Sequence, residues 1–316
     1  MWSKFQAILI SSLLIINFNT VFALDPFTSI NQTADFVDEH EDPYTYVNRY
    51  KTDEKFKKWF NEKYPEYTSI YKALRLEDPI IITESNEANQ IIFDGKWTSD
   101  REWKQSAADG WLFHDGNGMI FRSSHDRNYL YFLVDFISDR SLDRKSDRAI
   151  ICLDGNNDKT NIPENDDYCF IALLGSNTPI ILKGGSQSAL DGHFDRIFYD
   201  GVVVAGSMSD HADRYSPIPH TSYEFKIPTE LVGKYSEYGL YIAVYDRDQD
   251  NMYSWPRKIQ LENNLAIPPP SVWGEMISVD KSLPEFNLPF LIMSLSVAIL
   301  LVSTKIKNVK TMKNLY

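Results

Sequence analysis

The hydrophobic pattern changes character several times along the chain. Residues 5–16 form an apolar run, Phe-Gln-Ala-Ile-Leu-Ile-Ser-Ser-Leu-Leu-Ile-Ile, behind Lys4. Residues 24–50 show no periodic apolar face and crowd Asp35, Asp38, Glu39, Glu41 and Asp42, which predicts an acidic flexible leader. From Thr52-Asp53-Glu54 the spacing turns helical, with Phe56, Trp59 and Phe60 at i, i+3, i+4 and Pro65 as the stop. Ile70, Tyr71 and Leu74 mark a second short helix before Asp78-Pro79. This helical segment, 51–78, is expected to pack its aromatic stripe on the domain that follows.

From Ile80 the pattern changes to strands. Strands are predicted over 80–83, 91–93, 129–136, 149–154, 168–174, 179–182, 202–205, 222–227 and 239–246, rich in Ile, Val, Tyr and Phe and bounded by Gly, Asp, Asn and Pro. No helix-length insertion separates them. Residues 80–260 are therefore expected to be an all-β domain, an antiparallel β-sandwich or jelly roll. Residues 262–283 contain Pro268-Pro269-Pro270 and read as an extended linker. Residues 286–304 are charge-free and apolar, nineteen positions that as a helix span about 28 Å, enough for a bilayer core.

The ends place the chain. Val21-Phe22-Ala23 puts small residues at the −3 and −1 positions of a cut before Leu24, so residues 1–23 read as a secretory signal peptide. Lys305, Lys307, Lys310 and Lys313 follow the C-terminal apolar run, which leaves the tail in the cytoplasm and the body outside as a single-pass protein with its N-terminus outside. Export makes the Asn31-Gln32-Thr33 sequon a glycosylation candidate at Asn31. With the five terminal lysines set aside, 44 acids face 27 bases, a net charge of −17 that repels phosphate backbones and argues against nucleic acid. Across all 316 residues, 43% hydrophobic and 14% aromatic content is enough for a sizeable core.

Chemistry is sparse. The chain has no GxSxG, HExxH, Walker loop or GxGxxG, and its six histidines make no i, i+4 pair, so nothing singles out an enzyme. Two acidic loops follow strands. Asp154, Asn156 and Asp158, with Asp166 and Asp167 nearby, place oxygens at the alternate positions that wrap a hard cation, which makes a structural Ca²⁺ the expected cofactor. Asp246, Asp248 and Asp250 repeat the spacing with fewer acids around them. Lys159 and Asn251 stand where an EF-hand needs glycine, so neither loop is one. Cys152 and Cys169 flank the first loop. If the flanking strands pair as a hairpin they can bridge; two buried free thiols are the competing reading.

Two resemblances add to this. Pro284-Glu285-Phe286, set before the terminal apolar run, resembles the archaeal PEF-type sorting tails (PEF/PEFG-CTERM) processed by archaeosortases, although Asn287 stands where the PEFG variant has Gly. That resemblance implies cleavage of residues 284–316 and a lipid or glycan anchor; the alternative is a permanent transmembrane stalk. Ile91-Ile92-Phe93-Asp94-Gly95-Lys96-Trp97 with Arg101-Glu102-Trp103, then residues 129–135, Asp166-Asp167-Tyr168 and Tyr223-Glu224-Phe225-Lys226-Ile227-Pro228, resemble in order the signatures of carbohydrate-binding module family 9-like (DOMON-related) domains. The resemblance implies a β-sandwich that binds glycan ends between aromatic rings, with calcium supporting the scaffold. Trp97, Trp111, Tyr253 and Trp255 are the candidate stacking residues, and Trp103 is read as core. The reading is a non-catalytic cell-surface module for a glycan or envelope glycoprotein. Its rivals are an envelope structural protein without free ligand and a haem-binding DOMON-type domain using Met208 and His211, or Met252.

Overall fold

The structure is a computed structural model that describes residues 25–26, 33–187, 193–257, 259 and 267–280. The signal-peptide stretch, Asn31, the Pro284-Glu285-Phe286 core and the C-terminal apolar run lie outside the described residues. Among the described residues no helix is long and apolar enough to cross a membrane.

The described chain is mostly β. Its strands are β1 (Asp25–Pro26), β2 (Ile80–Glu84), β3 (Ala107–Leu112), β4 (Gly118–His125), β5 (Tyr129–Phe136), β6 (Arg148–Asp154) and β7 (Asp167–Leu173). They continue with β8 (Ile180–Lys183), β9 (Asp195–Ile197), β10 (Val203–Met208), β11 (Thr221–Pro228), β12 (Glu237–Asp246), β13 (Asn251–Trp255) and β14 (Gly274–Ser278). One layer runs β10-β11-β5-β4 with β3 on β4, and the other runs β14-β12-β6-β7-β8-β9 with β13 on β12.

The layers are not two separate antiparallel sheets, as the strand pattern predicts. They form one curled mixed sheet. β2 pairs parallel with β14 through Ile80, Ile81 and Ile82 and parallel with β4 through Thr83 and Glu84, so it carries the sheet from one layer to the other. Ile80 and Ile82 both face the core, and their burial holds the bend. β1 is likewise parallel to β3. Between the layers lie Phe121, Phe132, Phe136, Tyr223, Phe225 and Ile242, all fully buried.

Three further expectations need correction. Residues 91–93 are not a strand: the Ile91 amide donates back to the Ala88 carbonyl and the Ile92 carbonyl accepts from the Asp94 amide, so the backbone bonds locally, and Asp94 and Gly95 then donate to the Glu224 side chain. The leader 24–50 contains most of a helix, α1 (Pro43–Thr52), whose first turn is capped by the Asp42 carboxylate accepting from the Tyr44 amide. The linker 262–283 contains β14, an interior strand between β2 and β12, with Trp273 and Met276 fully buried.

The helical segment continues with α2 (Glu54–Lys63), capped by Asp53, and α3 (Ile70–Ala73), capped by Ser69. α4 is a single turn, Thr229–Val232. The aromatics of the segment make their own small core, in which Phe36 lies at the centre of Tyr46, Phe56, Trp59, Phe60 and Tyr64. The expected packing of this stripe on the β domain is not what holds the segment there. Polar bonds do so: Lys51 Nζ sits 2.8 Å from Glu237 and 3.1 Å from Glu275, and the Tyr44 hydroxyl donates to the Trp273 carbonyl at 3.0 Å. Burial pushes the Glu275 carboxyl up, but Lys51, Tyr71 and Asn157 outweigh it and leave it below the usual range.

Candidate functional site

β3 and β13 bring two of the four predicted aromatics together. Trp111 and Trp255 stack with ring centroids 5.9 Å apart and planes inclined by 28°. Gly274 permits this: a Cβ there would lie 2.2 Å from the Trp255 ring. The pair forms one wall of a cleft of about 340 Å³ between the helical segment and the sheet, large enough for a small polar ligand. Lys72, Glu77 and Asp78 enter from the helical side, and Asp109 and Gly110 from β3.

The charges of the cleft are ordered from behind. Arg257 holds Glu77 with two bonds of 3.0 Å, Nε to Oε1 and Nη2 to Oε2. Burial raises Glu77, but the guanidinium outweighs it and leaves the carboxyl below the usual range. Lys72 reaches Asp78 at 3.3 Å. Among the described residues Asp109 has no such partner, and burial pushes its pKa up to about 6. The cleft thus combines ring edges with a cation and acceptors, the mixture that a hydroxyl-rich ring with an apolar face requires. Trp111 and Trp255 are only 4% and 1% exposed, so they offer a strip of ring and not an open stacking platform.

Trp97 and Tyr253 lie elsewhere. Trp97 is buried on the outer face of the first layer, where the Arg122 and Arg214 guanidinium carbons stand 4.8 and 5.1 Å from its ring centroid. Tyr253 sits at the β3–β4 turn, its hydroxyl donating to Asp115 at 2.7 Å and accepting from Asn117 Nδ2 at 2.6 Å. Met208 packs against the main core, whereas His211 is exposed, and Met252 packs beside the disulfide.

Two of the motif segments behind the family resemblance, 91–103 and 223–228, meet at Glu224. Its Oε1 accepts from the Trp103 indole at 3.0 Å, and its Oε2 accepts from the amides of Gly95 at 2.8 Å and Asp94 at 3.0 Å. Gly95 has φ +88°, and a Cβ there would lie 2.6 Å from the Ser207 amide nitrogen. These residues build the layer of residues 88–106 over the sheet; they do not line the cleft.

The predicted calcium ligands share one loop, mostly engaged with each other. Asp154 Oδ2 accepts from the Lys159 amide at 3.1 Å, Asp166 Oδ2 from the Asn156 amide at 3.2 Å, and Asp167 Oδ2 from the Glu164 amide at 2.6 Å. Asp158 accepts from the Asn156 side chain at 3.0 Å. Lys159 turns its amine away onto the carbonyls of Trp273 and Gly274. Asp154 Oδ1 is buried without a partner, and burial together with its acidic neighbours pushes Asp167 up to about 8. Cys152 and Cys169 face each other on β6 and β7 and are joined by a disulfide.

Two other groups of described residues bring three ligand atoms within 4.8 Å of one another: Asp139 with Asp147 and Asp246, and Asp135 with Asp213 and His220. Sequence spacing does not show either, because each joins two residues of one connecting segment to a third on a distant strand. Asp246, in the second acidic loop, gave the only signal. In the first group burial raises both Asp139 and Asp147, the latter to about 6, and Asp139 Oδ2 has no partner.

No protein-family model matches the chain, and no curated protein matches it. Among solved structures it is similar to a carbohydrate-binding module of family 9 from Caldicellulosiruptor kristjanssonii in complex with cellotriose, with TM-score 0.43 and 16% identity over 66% of this chain and 100% of that one. The same kind of module in complex with glucose gives TM-score 0.40 and 15% identity over the same shares.

Proposed function

We propose that the chain is a non-catalytic glycan-binding module of the cell surface, with the Trp111–Trp255 cleft as its binding site. The observation that carries this is the convergence, in one cleft of about 340 Å³, of a stacked indole pair with Lys72, Asp78 and Asp109. Sugar rings offer C–H groups to the faces of aromatic rings, here the strip of indole left at the cleft, and hydroxyls to charged acceptors and donors. The charge asymmetry of the ends supports export and anchoring, with residues 1–23 removed and residues 284–316 either retained as a membrane stalk or processed by an archaeosortase-like enzyme. A structural Ca²⁺ belongs to the same reading. Two donor sets suit it, the 154–167 loop and the buried Asp139–Asp147–Asp246 group, each with an unpartnered buried oxygen.

A glycan array probed with the purified chain tests the function. Selective binding of a defined set of glycans is expected; a blank array together with normal folding would overturn the reading and favour the envelope structural role.

A further inference from the structure

On the outer face of the first layer, away from the cleft, three side chains converge beneath the loop that joins β10 to β11. Asp135 projects from β5, while Asp213 and His220 come from the loop and its end. His220 Nε2 is 3.9 Å from Asp135 Oδ1 and 3.9 Å from Asp213 Oδ1, and the three side chains are 0%, 0% and 1% exposed for His220, Asp135 and Asp213. None of these gaps is a hydrogen bond. His220 Nε2, both oxygens of Asp135 and Oδ2 of Asp213 are buried without a partner.

The surroundings hold this constellation open. Asp213 Oδ1 accepts from the amides of Tyr215 at 2.8 Å and Ser216 at 3.0 Å, which fixes its carboxylate. His220 Nδ1 lies 3.0 Å from the Ile218 carbonyl and 2.9 Å from the Ser209 hydroxyl. A carbonyl can only accept, so the Ile218 contact places the proton on Nδ1. Nε2 then turns a lone pair toward two carboxylates, an arrangement that is repulsive unless a proton or a metal cation stands between them. The guanidinium of Arg122 eases Asp135 only from a distance, its hydrogen bonds going to the carbonyls of Trp103 at 2.9 Å and Ser106 at 3.1 Å.

We propose that Asp135, Asp213 and His220 form a binding site for a divalent first-row transition ion. One imidazole nitrogen with two carboxylates is a donor set for zinc, manganese or iron more than for calcium, and an imidazole oriented through its other nitrogen by a backbone carbonyl is the usual support of a metal ligand. Metal–ligand bonds of about 2.0–2.2 Å set neighbouring donors roughly 3 Å apart, so each side chain closes in by less than about 1 Å. The ion would tie the β10–β11 loop to β5 and leaves the glycan cleft untouched.

The test is titration of the full-length chain, stripped with EDTA, with Co²⁺ followed by visible ligand-field absorption and with Zn²⁺ followed by calorimetry. One equivalent of each is expected to bind. Asp135→Asn and His220→Gln should each weaken that binding at least about 10-fold while glycan binding stays unchanged. Asp135→Asn removes a buried carboxylate that has no partner, so its fold survives even where His220→Gln impairs folding. Absence of stoichiometric Co²⁺ and Zn²⁺ binding would show that an imidazolium proton alone fills the gap. Binding of equal strength in Asp135→Asn would place the ion elsewhere. Either result overturns the proposal.

Discussion

The Trp103 indole N–H donates to Glu224 Oε1 at 3.0 Å, tying the segment that follows β2 to β11 across 121 residues of sequence. The same carboxylate accepts from two backbone amides, at Asp94 and Gly95, although burial raises its pKa well above the usual range. Two buried donors, the Trp103 indole and the Gly95 amide, therefore depend on one side chain, while the Asp94 amide also reaches the Ile92 carbonyl at 2.9 Å. Glu224→Ala strands those two, at about 1–3 kcal/mol for each. A loss of at least about 2 kcal/mol is expected in urea denaturation, and a loss under about 0.5 kcal/mol would contradict this role.

This pair also explains what the sequence could and could not disclose. Residues 91–103 and 223–228 are recognisable as motifs because they serve each other structurally; β2, β5 to β8 and β10 to β12 were legible from their enrichment in Val, Ile, Tyr and Phe, whereas β4, β9 and β13 were not. β3 was hidden by Asp109-Gly110, which reads as a turn dipeptide but lies in mid-strand. β14 was hidden by the three prolines before it, and the closure through β2 depends on parallel pairing between distant segments, which no local pattern records. In the cleft, Trp111 and Trp255 were legible as aromatics in a strand-rich chain. Lys72, Glu77 and Asp78 were not, since they reach the cleft only by docking of the helical segment.

Asp109 gives the cleft a pH signature. Its folded pKa of about 6 lies above its unfolded value of 3.8, so the folded state binds more protons between those limits and stability falls as pH rises through them. Above pH 6 the cost is complete, of the order of 1–2 kcal/mol once partial exposure is allowed for. Asp109→Asn should therefore raise the melting temperature at pH 7.5 and leave it nearly unchanged at pH 4. An equal effect at both pH values would assign the change to packing.

The disulfide closes a short loop, its cysteines being 17 residues apart in sequence. Cross-linking a loop of that size restrains the unfolded chain by roughly 3 kcal/mol. Cys152→Ala with Cys169→Ala should lower stability by about that amount, read from denaturant midpoints. Dithiothreitol should then destabilise the wild type and leave the double variant unaffected.

Calcium should raise the melting temperature, since the unfolded chain offers no arranged oxygens. At ~100-fold excess over Kd the gain is roughly 2.7 kcal/mol. Asp154→Asn with Asp158→Asn abolishes the shift if the 154–167 loop holds the ion, and Asp147→Asn abolishes it if the Asp139 group does. A melting curve of the wild type that EGTA leaves unmoved would remove calcium from the account.

The most direct measurement of the central claim is the affinity of the best array glycan for wild type, Lys72→Ala and Asp109→Asn by isothermal titration calorimetry. Both residues line the cleft and neither belongs to the main apolar core, so the variants keep the fold and change only the cleft. Binding at least about 10-fold weaker is expected in each, since a polar partner of a bound hydroxyl is lost. Affinity equal to wild type in both variants would contradict the cleft as the glycan site.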